Sequence, residues 1–105
     1  MSTNQISAFI HRNRIADVFN TLADNGYQQL AVVPVQGSLT PLDSAEQRYS
    51  VEMGIKVVEQ VKLEVYCEAG SQTTRAIGLI RESGKTSQPV SGWIFVTEVS
   101  DSQLI

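Results

Sequence analysis

The sequence contains one cysteine, one histidine and no long apolar run. Cys67 cannot form a disulfide within the chain. The N-terminal residues do not show the basic start followed by an apolar run that is typical of a signal peptide, so a cytoplasmic location is expected. A bilayer span needs roughly 20 apolar residues, and the longest apolar stretch is interrupted by Pro34 and by charges. Because His11 and Cys67 lack metal-ligand spacing, we expect ordinary structural roles for both and no zinc site.

Basic residues are also few. The formal net charge is -3 with only 8 Lys and Arg, which excludes general nucleic-acid binding because that needs clustered positive charge. The charged fraction of 18% is below the usual value of roughly 25%, so burial of a surface against another subunit is plausible. At 105 residues the chain is expected to form one domain, spanning 1–105.

The first half of the chain predicts a strand, a helix and a second strand. Residues 5–10 alternate as a strand does, and apolar groups at helical spacing follow. We expect Asn13 to cap this helix and Gly26 to end it. Residues 28–36 form the second strand, whose continuous apolar character is typical of a central strand or one covered on both faces. The helix stripe consists of Ile15, Val18, Phe19 and Leu22.

A loop and a long alternating segment follow the second strand. Pro34, which has no N–H, is expected near an unpaired edge of the sheet. Residues 37–48 show neither the helical nor the strand periodicity of apolar residues and are predicted as a loop. Apolar side chains then occupy odd positions over 49–67, which predicts one long strand or extended arm.

A second helix and a last strand complete the pattern. The helix is expected to begin at Gly70 and Ser71 and to end at Ser83 and Gly84. Residues 93–99 alternate as the last strand. The order β-α-β-β-α-β predicts an α+β, ferredoxin-like fold with an antiparallel sheet.

No catalytic constellation is visible in the sequence. Turns near Gly37 and near Gly84 with Lys85 are better candidates for a site, because glycine lets backbone N–H groups approach phosphate oxygens. Trp93 is more often a core residue than one that stacks on a base. Arg12 and Arg14 are expected to be solvated.

Taken together, these segments resemble the PII signalling family and its PII-like relatives. Residues 8–19 are similar to the first strand and helix of that family, and 32–37 to the strand that enters its T-loop. Residues 60–65 resemble the strand that leaves the T-loop. The blocks 82–85 and 92–96 flank a connection that resembles the B-loop.

The resemblance implies a homotrimer with an adenine nucleotide in each cleft between subunits, and a T-loop that engages or releases a target protein. The T-loop would span about 37–56 and the B-loop about 84–92. No cofactor or enzymatic activity is implied, since the nucleotide acts as an effector. The ligand-binding residues implied are Gly37, Ser38, Lys62, Glu64, Tyr66, Gly84, Lys85, Thr86, Gly92 and Trp93, with Gly37 and Lys85 the first candidates.

Several positions depart from the family pattern. Trp93 stands where members that bind ATP tightly have a lysine, the C-terminal arginine-rich strand is missing, and the B-loop is longer and contains Pro89. Pro41 and Gln60 replace the glutamine and lysine used for 2-oxoglutarate, so that ligand is not expected. Met53 replaces the modified tyrosine, which removes that modification.

These departures place the resemblance in the divergent PII-like branch, which includes the carboxysome-associated type. Members of this branch sense ADP, AMP or cyclic nucleotides, in some cases with bicarbonate. We therefore expect ADP or AMP to be favoured over ATP, bicarbonate as a second ligand, and a transporter or carbon-fixation component as target.

Two alternatives remain open at this stage. Residues 35–37 also resemble the phosphate loop of acylphosphatases, although there the loop follows the first strand and carries a catalytic arginine. The other alternative is a trimeric interaction module without a ligand, in which the long arm pairs with neighbouring chains by strand addition.

Overall fold

The computed structural model describes residues 2–37, 47–50 and 55–105, which form one sheet with two helices packed on it. Neither helix in this part of the chain is long and apolar enough to cross a bilayer. The predicted α+β, ferredoxin-like order is confirmed, with one additional short strand. The elements are β1 (Thr3–His11), a 3₁₀ turn (Arg12–Arg14), α1 (Ile15–Asp24), β2 (Leu30–Gly37), β3 (Gln47–Ser50), β4 (Ile55–Glu68), α2 (Ser71–Ser83) and β5 (Gly92–Val99).

All strand pairs are antiparallel, and the strand order is β2-β4-β1-β5. Strand β3 pairs with the beginning of β4, from Gln47 opposite Val58 to Ser50 opposite Ile55. The expectation of one strand over 49–67 is therefore wrong, because residues 49–50 belong to β3 and residues 55–67 to the antiparallel strand β4. Apolar and polar side chains alternate in both strands of an antiparallel pair, so this alternation alone does not distinguish one long strand from two paired strands.

Strand β2 lies at an edge of the sheet, although its sequence is continuously apolar. Val32 and Val33 are 46% and 37% exposed in the single chain. The expectation of a central or doubly covered strand is therefore wrong for one chain taken alone. Pro34 lies on this edge strand as expected, where its missing N–H removes no hydrogen bond from a central ladder.

Helix α1 shows the amphipathic pattern that its spacing predicts. Val18 and Leu22 are fully buried, and Gly26 adopts φ 91° just after the helix, a conformation that glycine enters at little cost. The expectation that Asn13 caps the helix is wrong. A 3₁₀ turn precedes α1, and the Asn13 N–H donates to His11 Nδ1 at 3.1 Å.

The core lies between the two helices and one face of the sheet. Its buried side chains come from β1, β4, both helices and the turn after α1. The opposite face of the sheet, called here the open face, carries no helix from the described residues, and Val33, Trp93 and Phe95 are exposed on it. The core residues are Ile6, Ala8, Ile10, Val18, Leu22, Tyr27, Leu63, Val65, Ala76 and Ile80.

Candidate functional site

A cavity of about 690 Å³ lies where α2 ends and β5 begins, and is called here the β5 cavity. Its wall includes the last turns of α2, the connection that follows, and Phe9 and Ile10 from β1. This volume is within the range of small-molecule sites, roughly 300–1,000 Å³. The predicted ligand-binding residues that line it are Gly84, Lys85, Gly92 and Trp93.

Both glycines of the connection are required by packing. A Cβ on Gly84 would lie 2.9 Å from the Ile80 carbonyl oxygen and 3.4 Å from Val18 Cγ2. A Cβ on Gly92 would overlap the carbonyl oxygen of Phe9 on the adjacent strand. Close backbone approach therefore accounts for these glycines before any ligand is considered.

Hydroxyl groups within the connection bind two of its backbone N–H groups. The Thr86 N–H donates to Ser91 Oγ at 2.8 Å, and the Gln88 N–H donates to Thr86 Oγ1 at 3.2 Å. The two hydroxyl oxygens lie 3.1 Å apart, within hydrogen-bond distance. Thr86 itself does not line the cavity; its contacts close the connection on itself.

Arg14 fastens the end of α2 beside the cavity. Its Nε and Nη2 donate to the Ser83 carbonyl oxygen at 3.2 and 2.8 Å, and its Nη1 lies 3.1 Å from Asp17 Oδ2. The expectation that Arg14 is merely solvated is wrong. A cation at this position offsets the partial negative charge of the helix C-terminus, which would otherwise disfavour an anion nearby.

The charged residues on the cavity wall are Arg81, Glu82 and Lys85. All three are exposed. Two cations against one carboxylate give this half of the site a net charge of one positive unit. The wall therefore favours an anion over a cation.

Aromatic rings adjoin the charged wall on the open face. Trp93 is 46% exposed, and it stacks on Phe95 with centroids 6.4 Å apart and 19° between planes. Phe9 meets Phe95 edge to face at 5.8 Å. The expectation that Trp93 is a core residue is wrong for one chain, since nearly half of it is open to a ligand or another subunit.

Lys62, Glu64 and Tyr66 form a ladder along β4 on the open face. Lys62 Nζ lies 3.1 Å from Glu64 Oε1, and Tyr66 donates its hydroxyl to Glu64 Oε2 at 3.2 Å. Burial raises the pKa of Tyr66, and the Glu64 carboxylate adds to this rise. Lys62 lies opposite Phe9, which lies opposite Trp93. The ladder therefore begins in the row of Trp93 and leads away from the cavity.

Comparison with known proteins gives a relative and a structural neighbour, while no protein-family model matches the chain. Nitrogen regulatory protein P-II 1 of Methanothermobacter thermautotrophicus is 27% identical over 97 residues, which cover 92% of this chain and 84% of that protein. The crystal structure of Arabidopsis thaliana PII bound to citrate has a TM-score of 0.72 and 23% identity, covering 94% of this chain and 78% of that one. The chain resembles PII proteins in sequence and in fold. Both similarities extend over more than nine tenths of it.

The PII-like chain does not bring its two glycine turns together. Gly37 ends β2, and Gly92 begins β5, which is the opposite edge of the sheet. Strands β4 and β1 lie between them, so at spacings of roughly 4.8 Å the turns are at least about 14 Å apart. Ser38 lies outside the described residues, as do 39–46 and 51–54 of the predicted T-loop. The rest of that predicted segment belongs to β2, β3 and β4.

Gln60 of the PII-like chain is buried in β4 between two other strands. It lies opposite His11 on β1 and Val35 on β2, and it is 2% exposed. Its Nε2 has no hydrogen-bond partner in the described part of the chain. A ligand in solution does not reach this amide in the arrangement described. Pro41 and Met53, the other noted departures, lie outside the described residues.

Three residues around the cavity were missed by sequence reasoning. Arg81 is four residues before Lys85, and Ser91 directly precedes Gly92, so both had a positional signal. Arg14 had none, because its partner carbonyl is 69 residues away.

The lone histidine and cysteine have structural contacts. His11 Nδ1 accepts the N–H that opens the 3₁₀ turn. Cys67 Sγ lies 3.6 Å from Thr73 Oγ1, and the thiol is free. Across residues 2–37, 47–50 and 55–105, no three His, Cys, Asp or Glu side chains come together as metal ligands.

Proposed function

We propose that this PII-like chain is a regulatory protein that binds an adenine nucleotide in the clefts between subunits of a homotrimer. The observation that carries this is the separation of the two glycine turns onto opposite edges of one sheet. The β5 cavity supplies cations, a glycine-bounded connection and a half-exposed Trp93. Gly37 of a second copy completes the site, so ligand binding and subunit contact are coupled.

The comparisons support the regulatory part of this proposal. The relative is named as a nitrogen regulatory protein, and the Arabidopsis PII structure holds citrate, a small anion. A net positive wall beside an aromatic surface suits a ligand with an anionic end and a flat ring.

The open face supports self-association. Val33, Trp93 and Phe95 are 37%, 46% and 45% exposed there, and an apolar surface of this kind is typical of an interface. Lys62 and Glu64 lie on the same face, but each neutralises the other. A paired charge is less costly to bury than an isolated one. A second copy of this chain has the matching apolar surface.

Charge favours ADP or AMP over ATP. Because the described wall has one net positive unit, a third phosphate gains little further attraction. Trp93 also occupies the position where PII family members that bind ATP tightly have a lysine. We propose further that nucleotide binding alters the segment about 37–56, that bicarbonate is a second ligand, and that the target is a cytoplasmic carbon-fixation component or a transporter.

Calorimetry with ATP, ADP, AMP, cyclic AMP and bicarbonate tests the ligand, and sedimentation tests the assembly. We expect ADP or AMP to bind more tightly than ATP, and Lys85→Gln to weaken binding. Arg75→Gln is the matched control, since Arg75 binds Asn25 Oδ1 at 2.7 Å away from the cavity. At 100 times its Kd, the nucleotide should stabilise the protein by about 2.7 kcal/mol.

ATP binding about tenfold tighter than ADP, or 1.4 kcal/mol, would reject the stated preference. A monomer in sedimentation would reject a site between subunits. Hydrolysis of acetyl phosphate would instead support the acylphosphatase alternative, although 35–37 lie in β2 and not after β1. No thermal shift with any of these ligands would support an interaction module without a ligand.

A further inference from the structure

Four of the eight residues in the connection that follows α2, residues 84–91, have no backbone N–H available to an anion; one of them is Gly84, whose N–H donates to the Ile80 carbonyl oxygen at 2.8 Å. The N–H groups of Thr86 and Gln88 already donate to hydroxyl oxygens of Ser91 and Thr86, and Pro89 has no N–H. Phosphate-binding turns ordinarily present several backbone N–H groups to the ligand. Side-chain cations therefore have to supply part of the attraction for an anion in the β5 cavity.

The cations that line the cavity are Lys85 and Arg81. Within the part of the chain that the structure describes, neither forms an ion pair or a side-chain hydrogen bond. Arg81 occupies the last turn of α2 and is exposed. Both side chains can therefore turn toward a bound anion without breaking an existing contact.

We infer that Arg81 is a ligand-binding residue that, together with Lys85, holds the terminal phosphate of a nucleoside diphosphate. The inference rests on the proposed function and extends it to a residue and a ligand class. A guanidinium forms two parallel hydrogen bonds with a phosphate, whereas an ammonium acts as a point charge. Arg81 and Lys85 outweigh the single negative charge of Glu82, which favours a ligand with the added charge of a second phosphate. A third phosphate would find no further cation on this wall.

The test is a titration of wild type, Arg81→Gln, Arg81→Lys and the control Arg75→Gln with ADP, AMP and inorganic pyrophosphate. Arg81→Gln should bind ADP at least about tenfold more weakly, the usual effect of losing charged hydrogen bonds. The affinity for AMP should fall less in this variant, because AMP lacks the phosphate that Arg81 holds. Arg81→Lys should recover part of the loss, and Arg75→Gln should differ from wild type by less than about twofold.

Circular dichroism and thermal midpoints of the variants show whether each is folded; an exposed site is expected to tolerate all three changes. If wild type binds ADP and Arg81→Gln binds it equally well, the inference is wrong and the proposed function stands. If pyrophosphate binds, and Arg81→Gln weakens it while no nucleotide binds, the cation pair stands and the adenine ligand is wrong. If neither nucleotide nor pyrophosphate binds wild type, both are overturned.

Discussion

Replacing Gln60 by Met should make the protein more stable. Gln60 lies in the central strand β4, 2% exposed, and its Nε2 lacks a partner in the described residues. A buried donor left without an acceptor costs about 1–3 kcal/mol. Met has a similar length and no N–H group, so the substitution removes this cost and keeps most of the packing.

We expect the free energy of unfolding to rise by about 1–2 kcal/mol, after allowing for imperfect packing of Met. For a domain of this size, each kcal/mol moves Tm by about 4–8 °C. Urea unfolding at one fixed protein concentration measures the change, because the midpoint of an oligomer varies with concentration. Gln5→Met is the control: Gln5 lies on β1, is only half-buried and donates to Ser7 Oγ at 3.5 Å. It should change stability by less than about 0.5 kcal/mol.

A loss of more than about 1 kcal/mol in Gln60→Met, with Gln5→Met unchanged, would refute this reasoning. The amide would then have a partner in the assembled protein that one chain does not show. Addition of bicarbonate gives a second comparison: stabilisation of wild type that disappears in Gln60→Met would assign that partner to the ligand.

Three further substitutions test the packing. Gly92→Ala should lower the free energy of unfolding by at least about 2 kcal/mol, since its Cβ meets a backbone oxygen; unchanged urea unfolding would contradict this. Gly78→Ala should raise it by up to about 1 kcal/mol, because Gly78 lies inside α2 with open space at its Cβ; a loss would show that another subunit fills this space. Burial raises the pKa of Tyr27, whose hydroxyl donates to the Gln72 carbonyl oxygen at 2.7 Å. The contribution of this hydroxyl to stability is therefore complete below pH about 10 and is lost as pH rises through the higher folded-state pKa. Tyr27→Phe should be about 1 kcal/mol less stable than wild type at neutral pH, and this difference should shrink above pH 10.

Local signals in the sequence predicted the helices and the order of the strands. The stripe of α1 and its stop at Gly26 depend on spacing and backbone freedom within a few residues, which the sequence displays directly. The same holds for α2, which begins at Ser71 and ends at Ser83 as expected. These elements need no knowledge of distant parts of the chain.

Predictions that depended on distant contacts were less successful. The apolar run of β2 indicates two covered faces, but Val32 and Val33, which lie on opposite faces, are 46% and 37% exposed in one chain. The sequence does not say whether a second copy covers them. Asn13 was predicted as a cap by residue type, whereas the acceptor at that turn is His11 Nδ1. The bond from Arg14 to the end of α2 follows from tertiary packing alone.

The same distinction explains why only part of the candidate site was predictable. Sequence reasoning identified both glycine turns, because each has its own composition, and it identified Lys85 beside one of them. It did not show that the turns belong to opposite edges of the sheet, which follows from the order β2-β4-β1-β5. Because β4 and β1 separate the two edges, we propose that a ligand that touches both turns lies between two chains. The affinity for such a ligand should therefore fall when subunits separate on dilution, whereas a site within one chain would keep its affinity.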